Sequence, residues 1–431
     1  MSVGLFLLAK LNKSFRDPDL FLQQIASWIR GEYGGVNPKI RRGLIETKPT
    51  LFCQLHPAAE ELELSLVDGS HLTASASTSS AGPGYHIFVC EMLHALGRKF
   101  QASWAEFGEE SEEYFDEGEY FFTGDQRRVF DHMTAWLGAL AGSFFDGTLA
   151  ETATALCMDT SLRFASDQLA ITPLGPRNRD WLRATAQDGN NGRDFFAWWT
   201  PGLDASYYLG RALAQMWSSV RWRKPINESE WALLREVAEC LRLAHGLNPA
   251  LDYPWAEWDE ILTLLGAGAK ERELVRSKVK QSPKIGYRRR NVTVLLPGGW
   301  QIRLPGSFGD FKEDEDNTLL ALDPPREVWF SAFHSTDPLS EEQFKVVRAE
   351  IRATGPEYIR ETESYIASAA VEQKTANSGE LYFVLNSSNC CPGKRAVCTI
   401  VFRDPKDADW AVETWRSLTP PTPADGAQDT E

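Results

Sequence analysis

Three side chains at helical spacing, His86, Cys90 and His94, are the first candidates for chemistry in this chain of 431 residues. At i, i+4 and i+8 they fall on one side of a helix, off its apolar stripe. An i, i+4 pair of nitrogen or sulfur donors can share a metal ion. All three cannot, because eight residues of helix span about 12 Å while metal–ligand bonds run about 2.0–2.3 Å. A metal at one pair would draw its other ligands from His71 or from Asp and Glu of the acidic stretch at 106–125. The competing reading of the three is packing or partner contact.

Two neighbouring stretches extend this candidate region. Upstream, Ser79-Ser80-Ala81-Gly82-Pro83-Gly84 leads into the helix, and backbone N–H groups at such a start suit an anion. The stretch lacks a P-loop lysine and the spacing of a dinucleotide fingerprint, so a plain turn is the default reading. Downstream, residues 106–125 hold nine carboxylates and no basic residue. Their order is not that of a calcium loop. Aromatics interleave them, whereas purely solvating acidic loops are poor in aromatics. Carboxylates that steer and aromatics that supply contact area suit a cationic protein surface. The expected partner-binding residues are therefore Glu109, Glu110, Glu112, Glu113, Tyr114, Phe115, Asp116, Glu117, Glu119 and Tyr120. An alternative places Glu112 and Asp116 near His86 for acid–base work, possible with a metal, in a hydrolase-like enzyme.

Elsewhere the signals are weaker. Cys390 and Cys391 are expected in a polar loop, 386–393, and nothing places His334 beside them as a base. GxSxG, HExxH and kinase signatures are missing. Residues 270–290 carry nine basic and two acidic residues. They read as an exposed connector, with nucleic-acid or lipid contact as a lesser alternative. His245 reads as a core histidine.

Composition narrows the classes further. A net charge of −15 and a pI near 5.1 repel nucleic-acid backbone and anionic membrane. The seven cysteines are odd in number and scattered, with no CxxC. That pattern fits reduced thiols in the cytoplasm. The apolar run at 3–9 lacks a basic flank and a cleavage site, and reads as a buried strand.

These candidates need elements to position them. The length implies two or three domains, and the order of strands and helices implies an α+β class. Residues 1–175 read as an α+β domain, with a hairpin at Asp68-Gly69 and helices at 85–100 and 126–140. Residues 176–269 read as a helical region holding eight of the fifteen tryptophans, hence either a dense core or a gripping surface. The connector 270–290 follows. Residues 291–418 read as strands at 292–295, 300–304, 318–322, 328–332, 381–385 and 396–402. A helix at 340–354 opens on a Ser340/Gln343 capping box, and Asp404 caps a last helix. The tail, 419–431, is polar and expected to be disordered.

The opening Leu296-Pro297-Gly298-Gly299-Trp300-Gln301-Ile302-Arg303-Leu304-Pro305 precedes antiparallel strands. A closing helix, Asp409-Trp410-Ala411-Val412-Glu413-Thr414-Trp415-Arg416-Ser417, completes the order. Residues 292–418 thereby resemble the PsbP-like fold, including its DcrB-like bacterial branch. The resemblance implies an antiparallel sheet with helices and a binding or accessory module without a catalytic centre. It transfers no functional residue, and residues 1–285 carry no such likeness. The reading drawn from the sequence is a non-enzymatic cytoplasmic protein-interaction protein that needs no cofactor. Its partner would be a protein with a basic surface, as for a toxin-neutralising immunity or adaptor protein of a bacterial conflict system.

Overall fold

The computed structural model describes residues 3–34, 36–42, 48–105, 114–146, 154–155, 162–163, 170–313, 318–334, 340–353 and 355–421. Glu109, Glu110, Glu112, Glu113, Cys157 and most of the tail lie outside them. The chain is α+β and divides into two compact units. One holds residues 1–158, 166–220 and 227–286; the other holds 159–165, 221–226 and 287–431. The Trp-rich helical region, set apart in the sequence reading, clusters with the front sheet except for 221–226. No described helix is long and apolar enough to cross a membrane.

The first unit is built on β1 (Gly4–Leu11), α1 (Pro18–Glu32), β2 (Lys39–Arg42), β3 (Pro49–Cys53), β4 (Leu62–Val67), β5 (His71–Ser77), α2 (Pro83–Phe100), β6 (Ala102–Trp104) and β7 (Phe115–Asp116). The sheet runs β2-β3-β4-β5-β1-β6, with β7 also on β1, and every pairing is antiparallel. Leu62, Leu64 and Leu66 alternate with wetter neighbours, so one face of β4 is buried. Asp68 and Gly69 both take positive φ and turn β4 into β5, as that dipeptide favours. Ala74 and Ala76 are buried opposite Leu7 and Leu5. Small side chains there let the strands be covered closely.

Helix α1 is opened by Asp17, whose side chain accepts the Leu20 N–H, and buries Phe21, Leu22, Ile25 and Ile29. Helix α2 buries Tyr85, Val89, Leu93 and Leu96 as its spacing requires, but also His86, Ile87, Cys90 and Met92. It is covered on more than its apolar stripe. Next along the chain come α3 (Tyr120–Thr123), α4 (Gln126–Gly142) and four short strands, β8 (Thr154–Ala155), β9 (Leu162–Arg163), β10 (Ala170–Thr172) and β11 (Gly175–Arg177), of which β9 belongs to the second unit. Strands β11, β10 and β8 form a small sheet. Helices α5 (Arg179–Gln187), α6 (Ala205–Ser218), α7 (Glu228–Leu247), α8 (Trp255–Leu264) and α9 (Ala269–Arg276) complete the unit. Within it Trp198, Trp217 and Trp258 are buried, so much of the tryptophan richness is core.

The second unit holds β12 (Asn291–Leu295), β13 (Gln301–Pro305), β14 (Gly309–Glu313), β15 (Thr318–Asp323), β16 (Arg326–His334), α10 (Glu341–Ala353), β17 (Tyr358–Thr362), β18 (Tyr365–Thr375), β19 (Leu381–Cys391), β20 (Lys394–Phe402) and α11 (Ala408–Arg416). Strands β13, β12 and β9 form one antiparallel sheet, and the larger sheet runs β14-β15-β16-β20-β19-β18-β17, also antiparallel. The capping box forms: Ser340 N–H donates to Gln343 Oε1, and Gln343 N–H to Ser340 Oγ. Asp404 caps a single 3-10 turn that runs into α11.

The expected loop at 386–393 is instead mostly strand β19, and Cys390 and Cys391 are buried in it. Two of its polar residues, Ser387 and Asn389, misled because they face inward and are satisfied there, while Asn386 and Ser388 are exposed. Asn389 Oδ1 accepts from Tyr365 Oη at 3.0 Å and Trp415 Nε1 at 3.3 Å, and its amide donates to Ser387 Oγ at 3.1 Å. Ser387 Oγ donates to the Cys398 carbonyl at 2.8 Å. Replacing Asn389 with alanine orphans two buried donors and is expected to cost about 1–3 kcal/mol. Urea unfolding checks this; a loss below about 0.5 kcal/mol, the scale of a neutral surface change, would contradict it. Burial pushes the Cys391 thiol up to about 11, which suits an inert core cysteine rather than a nucleophile.

Candidate functional site

The side chains of His86 and Asp116 meet inside the first unit. Nε2 of His86 lies 2.9 Å from Asp116 Oδ1, and both side chains are fully buried. Three elements hold them. Thr78, at the end of β5, places Oγ1 2.9 Å from His86 Nδ1 and 3.1 Å from the Val3 carbonyl. Helix α2 carries His86 and, one turn on, Cys90. Strand β7 brings Asp116 opposite Leu5 of β1.

Asp116 is held tightly at this place. Its Oδ1 accepts from the Gly118 N–H at 2.9 Å and its Oδ2 from the Phe121 N–H at 2.7 Å. Burial alone would raise its pKa. The His86 bond and charge, with the two backbone N–H groups, outweigh burial and hold it below the usual carboxylate value. Ligand atoms of His86, Cys90 and Asp116 all lie within 4.8 Å of one another. Burial, then the Asp116 and Glu91 charges, push the Cys90 thiol well up. As a free thiol it is a poor nucleophile.

The sequence candidates thus sort differently from their spacing. His86 and Cys90 converge with a carboxylate from the acidic stretch. His94 does not: its Nε2 bonds the Phe121 carbonyl at 3.0 Å, and its ring stacks on Phe121 at 4.1 Å. His71 pairs with Asp68 in the hairpin, at 3.0 Å.

The described part of the expected acidic surface is partly spent inside the fold. Asp116 is buried, which corrects its place on that surface. Glu117 is exposed, yet its Oε2 accepts the Gly4 N–H at 2.7 Å. Glu119 pairs with Arg128, and Tyr120 donates to Glu91 at 3.1 Å. Tyr114 packs on Phe6 at 5.5 Å between ring centroids. Phe115 is 40% exposed and remains available to a partner.

The turn considered for an anion is filled by protein. Trp198 N–H donates to the Ala81 carbonyl at 2.8 Å, and Gly84 N–H donates to the Trp198 carbonyl at 3.0 Å. A Cβ on Gly84 would stand 2.5 Å from Trp198 Cδ1, and one on Gly82 would stand 2.7 Å from Phe196 Cβ. Glycine is required there for close approach, and a carbonyl occupies the helix start that an anion would use.

The basic run, read as an exposed connector, is engaged in part: Lys270, Arg276, Lys280, Lys284 and Arg290 are exposed, while other members pack within the fold. Lys278 sits over the Trp255 ring at 4.5 Å and 3.1 Å from His245 Nε2. Glu257 accepts the Ile285 N–H at 2.8 Å. Arg288 is buried and donates to the Gly306 carbonyl at 3.3 Å, and Arg289 stacks over Trp222 at 3.5 Å. Guanidinium planes on indoles and carbonyls are packing devices, and they leave fewer cations for a phosphate backbone. His245, walled by Tyr253, Trp255 and Trp258, is a partly buried histidine with its ring nitrogen matched by Lys278.

Two surface hollows lie elsewhere. One of about 320 Å³ is lined by Arg303, Trp410 and Arg416 among others. One of about 600 Å³ lies beside α8, against Asp259 and Lys280. Neither touches His86 or Asp116.

A further surface was missed by the sequence reading. Across β16, β20, β19, β18 and β17, the register puts Trp329, Ser331 and Phe333 on one face with Thr399, Val397 and Arg395, Asn386 and Ser388, Ser368, and Ile359. One end of this face is covered by α10, where Phe344 packs on Ile366 and Cys390. The rest is open: Trp329 is 39% exposed, Phe333 55%, Val397 43% and Ile359 46%. The signal was present as Trp329, Ser331 and Phe333 at alternate positions.

No family model matches the chain, and no curated protein matches it. Among solved structures it is similar to a crystal structure from Bacteroides thetaiotaomicron, at 14% identity over 31% of this chain and 50% of that one, with a TM-score of 0.26. This chain spans about half the length of that structure, and a likeness so slight carries no argument about fold or function.

Proposed function

We propose that the protein is a non-catalytic interaction protein that docks a cationic protein partner on the open face of its larger C-terminal sheet. The observation that carries this is the aromatic and aliphatic set Trp329, Phe333, Val397 and Ile359, exposed on one face of five paired strands. Trp329, Phe333 and Val397 adjoin, with Ile359 set apart from them by Ser388 and Ser368. Exposed apolar clusters on a sheet mark interaction sites, and buried aromatic anchors dominate the energy of such contacts. The net charge of −15 selects among partners. It repels a second copy and other acidic proteins, and it speeds encounter with a basic one. Exposed Phe115 beside Glu117 is compatible with the same partner chemistry.

A cytoplasmic accessory role of this kind is that of an immunity or adaptor protein masking a basic toxin surface. The PsbP-like resemblance of 292–418 points the same way, since that fold serves small binding modules. The burial of His86, Cys90 and Asp116 supports a binding role over a hydrolytic one, because a substrate must reach the groups that act on it.

The test is comparative capture with tagged full-length protein from its source cells, at low and high salt. The wild type should retain a basic protein at low salt and release it at high salt. The double variant Trp329→Glu, Phe333→Glu, with unchanged circular dichroism, should bind that protein at least about thirtyfold more weakly, the loss of one hot spot of about 2 kcal/mol. Equal binding by variant and wild type would end the proposal.

A further inference from the structure

We propose that His86, Cys90 and Asp116 form a binding site for a divalent transition metal, with zinc the best chemical fit. The site is independent of the partner reading, since it lies in the interior of the other unit. Convergence is its first support. Two donors come from one face of α2 and the third from β7, thirty residues away, and their ligand atoms lie within 4.8 Å of one another. Imidazole, thiolate and carboxylate together are a donor set of borderline softness, which favours zinc over magnesium or calcium.

Charge balance supports the assignment. One thiolate and one carboxylate neutralise a divalent ion, so the loaded site carries no net charge in a buried place where net charge is costly. Metal binding would displace the Cys90 thiol proton, as a ligating thiol requires.

The surroundings also resemble those of a ligand set. Metal-bound histidines commonly use their second nitrogen on an oriented oxygen. Here Thr78 Oγ1 stands 2.9 Å from His86 Nδ1 and itself reaches the Val3 carbonyl. Asp116 is fixed by the Gly118 and Phe121 N–H groups. Gly118 matters for a second reason: a Cβ there would stand 2.6 Å from His86 Nε2. The absence of a side chain preserves the space around the nitrogen that faces Asp116. Three protein donors leave a fourth tetrahedral position to be filled by water or another small ligand.

A buried site loads as the chain folds, so the full-length protein should be expressed in cells given Zn²⁺ or Co²⁺ and purified without chelator or metal resin. Elemental analysis should find about one ion per chain. The cobalt form should show a thiolate-to-cobalt charge-transfer band in the near ultraviolet and visible bands of a tetrahedral ion. Among the described residues no other cysteine belongs to such a cluster, so the band reports Cys90. Cys90→Ser should abolish it, and Thr78→Val should weaken retention about 10- to 100-fold, as loss of an outer hydrogen bond does. Cys240→Ser should change neither. Folded wild type that carries no metal after either growth overturns the proposal, as does a cobalt form without the charge-transfer band. Either result would leave His86 and Asp116 as a buried pair with a bystander thiol. Because the wild type alone decides, a variant that fails to fold does not spoil the test.

Discussion

Replacing Trp198 with alanine is expected to cost about 3–5 kcal/mol, the range for a large aromatic removed from a core. Trp198 is 1% exposed. Its ring lies 4.4 Å from Tyr207, 5.1 Å from Phe88, 5.8 Å from His56 and 6.1 Å from Tyr85, and its indole N–H donates to the Gly202 carbonyl at 3.1 Å. The groups around it come from α2, α6 and the segment after β3. The residue therefore ties the helical region to the front sheet within the first unit. Its backbone bonds to Ala81 and Gly84 survive the change, so the loss isolates packing plus one indole bond. Urea unfolding of wild type, Trp198→Ala and Trp198→Phe resolves the two: phenylalanine should recover more than half of the loss. If alanine costs under about 1 kcal/mol, the ordinary effect of a point change, the ring is not the joint described.

Trp198 also marks what the sequence could and could not reveal. Local signals were legible. Asp68-Gly69 announces its turn, Asp17 and the Ser340/Gln343 pair announce their helix starts, and Leu62, Leu64 and Leu66 announce a half-buried strand. Each depends on neighbours within a few residues. What failed depends on distant partners. Asp116 reads either as part of an exposed acidic surface or, with Glu112, as a carboxylate near His86; only the pairing of β7 with β1 shows it buried against that histidine. His86 and Cys90 read as lying off the apolar stripe of α2, whereas that side is covered as well. Ser387 and Asn389 read as a loop because their polarity is answered by Tyr365, Trp415 and the β20 backbone, which no local pattern predicts. One signal was available and unused: glycines on both sides of Pro83, at the start of an apolar helix, can announce a close approach by another segment as well as an anion.

Acidification should destabilise the first unit through His56, by about 1.4 kcal/mol for each pH unit below the ordinary histidine value of about 6.5. His56 is fully buried among Tyr85, Trp198 and Tyr207. Its Nδ1 accepts the Ala58 N–H at 3.1 Å, so the neutral ring carries its proton on Nε2. Protonating Nδ1 would destroy that bond. Burial foremost, and the Arg211 guanidinium next, hold its pKa well below the ordinary value. Glu236 does not relieve this, since it is engaged with Arg211. The sign follows from which state binds the proton. The unfolded chain takes it up near pH 6.5 and the folded chain does not. Stability is therefore full above about pH 6.5 and falls as pH drops, until the depressed folded value is reached. The fall continues toward that slope as pH drops below about 6.5, in a range where ordinary carboxylates also begin to protonate, so the share of His56 is read from the difference between wild type and a variant that cannot titrate. His56→Asn keeps an acceptor for the Ala58 N–H but cannot titrate. Its stability at pH 7 should be lower than wild type, because the ring is gone, while its slope over this window should flatten by close to one proton. Urea midpoints at half-unit intervals of pH measure that slope, and equal slopes for the two proteins would show that His56 is not the group that titrates.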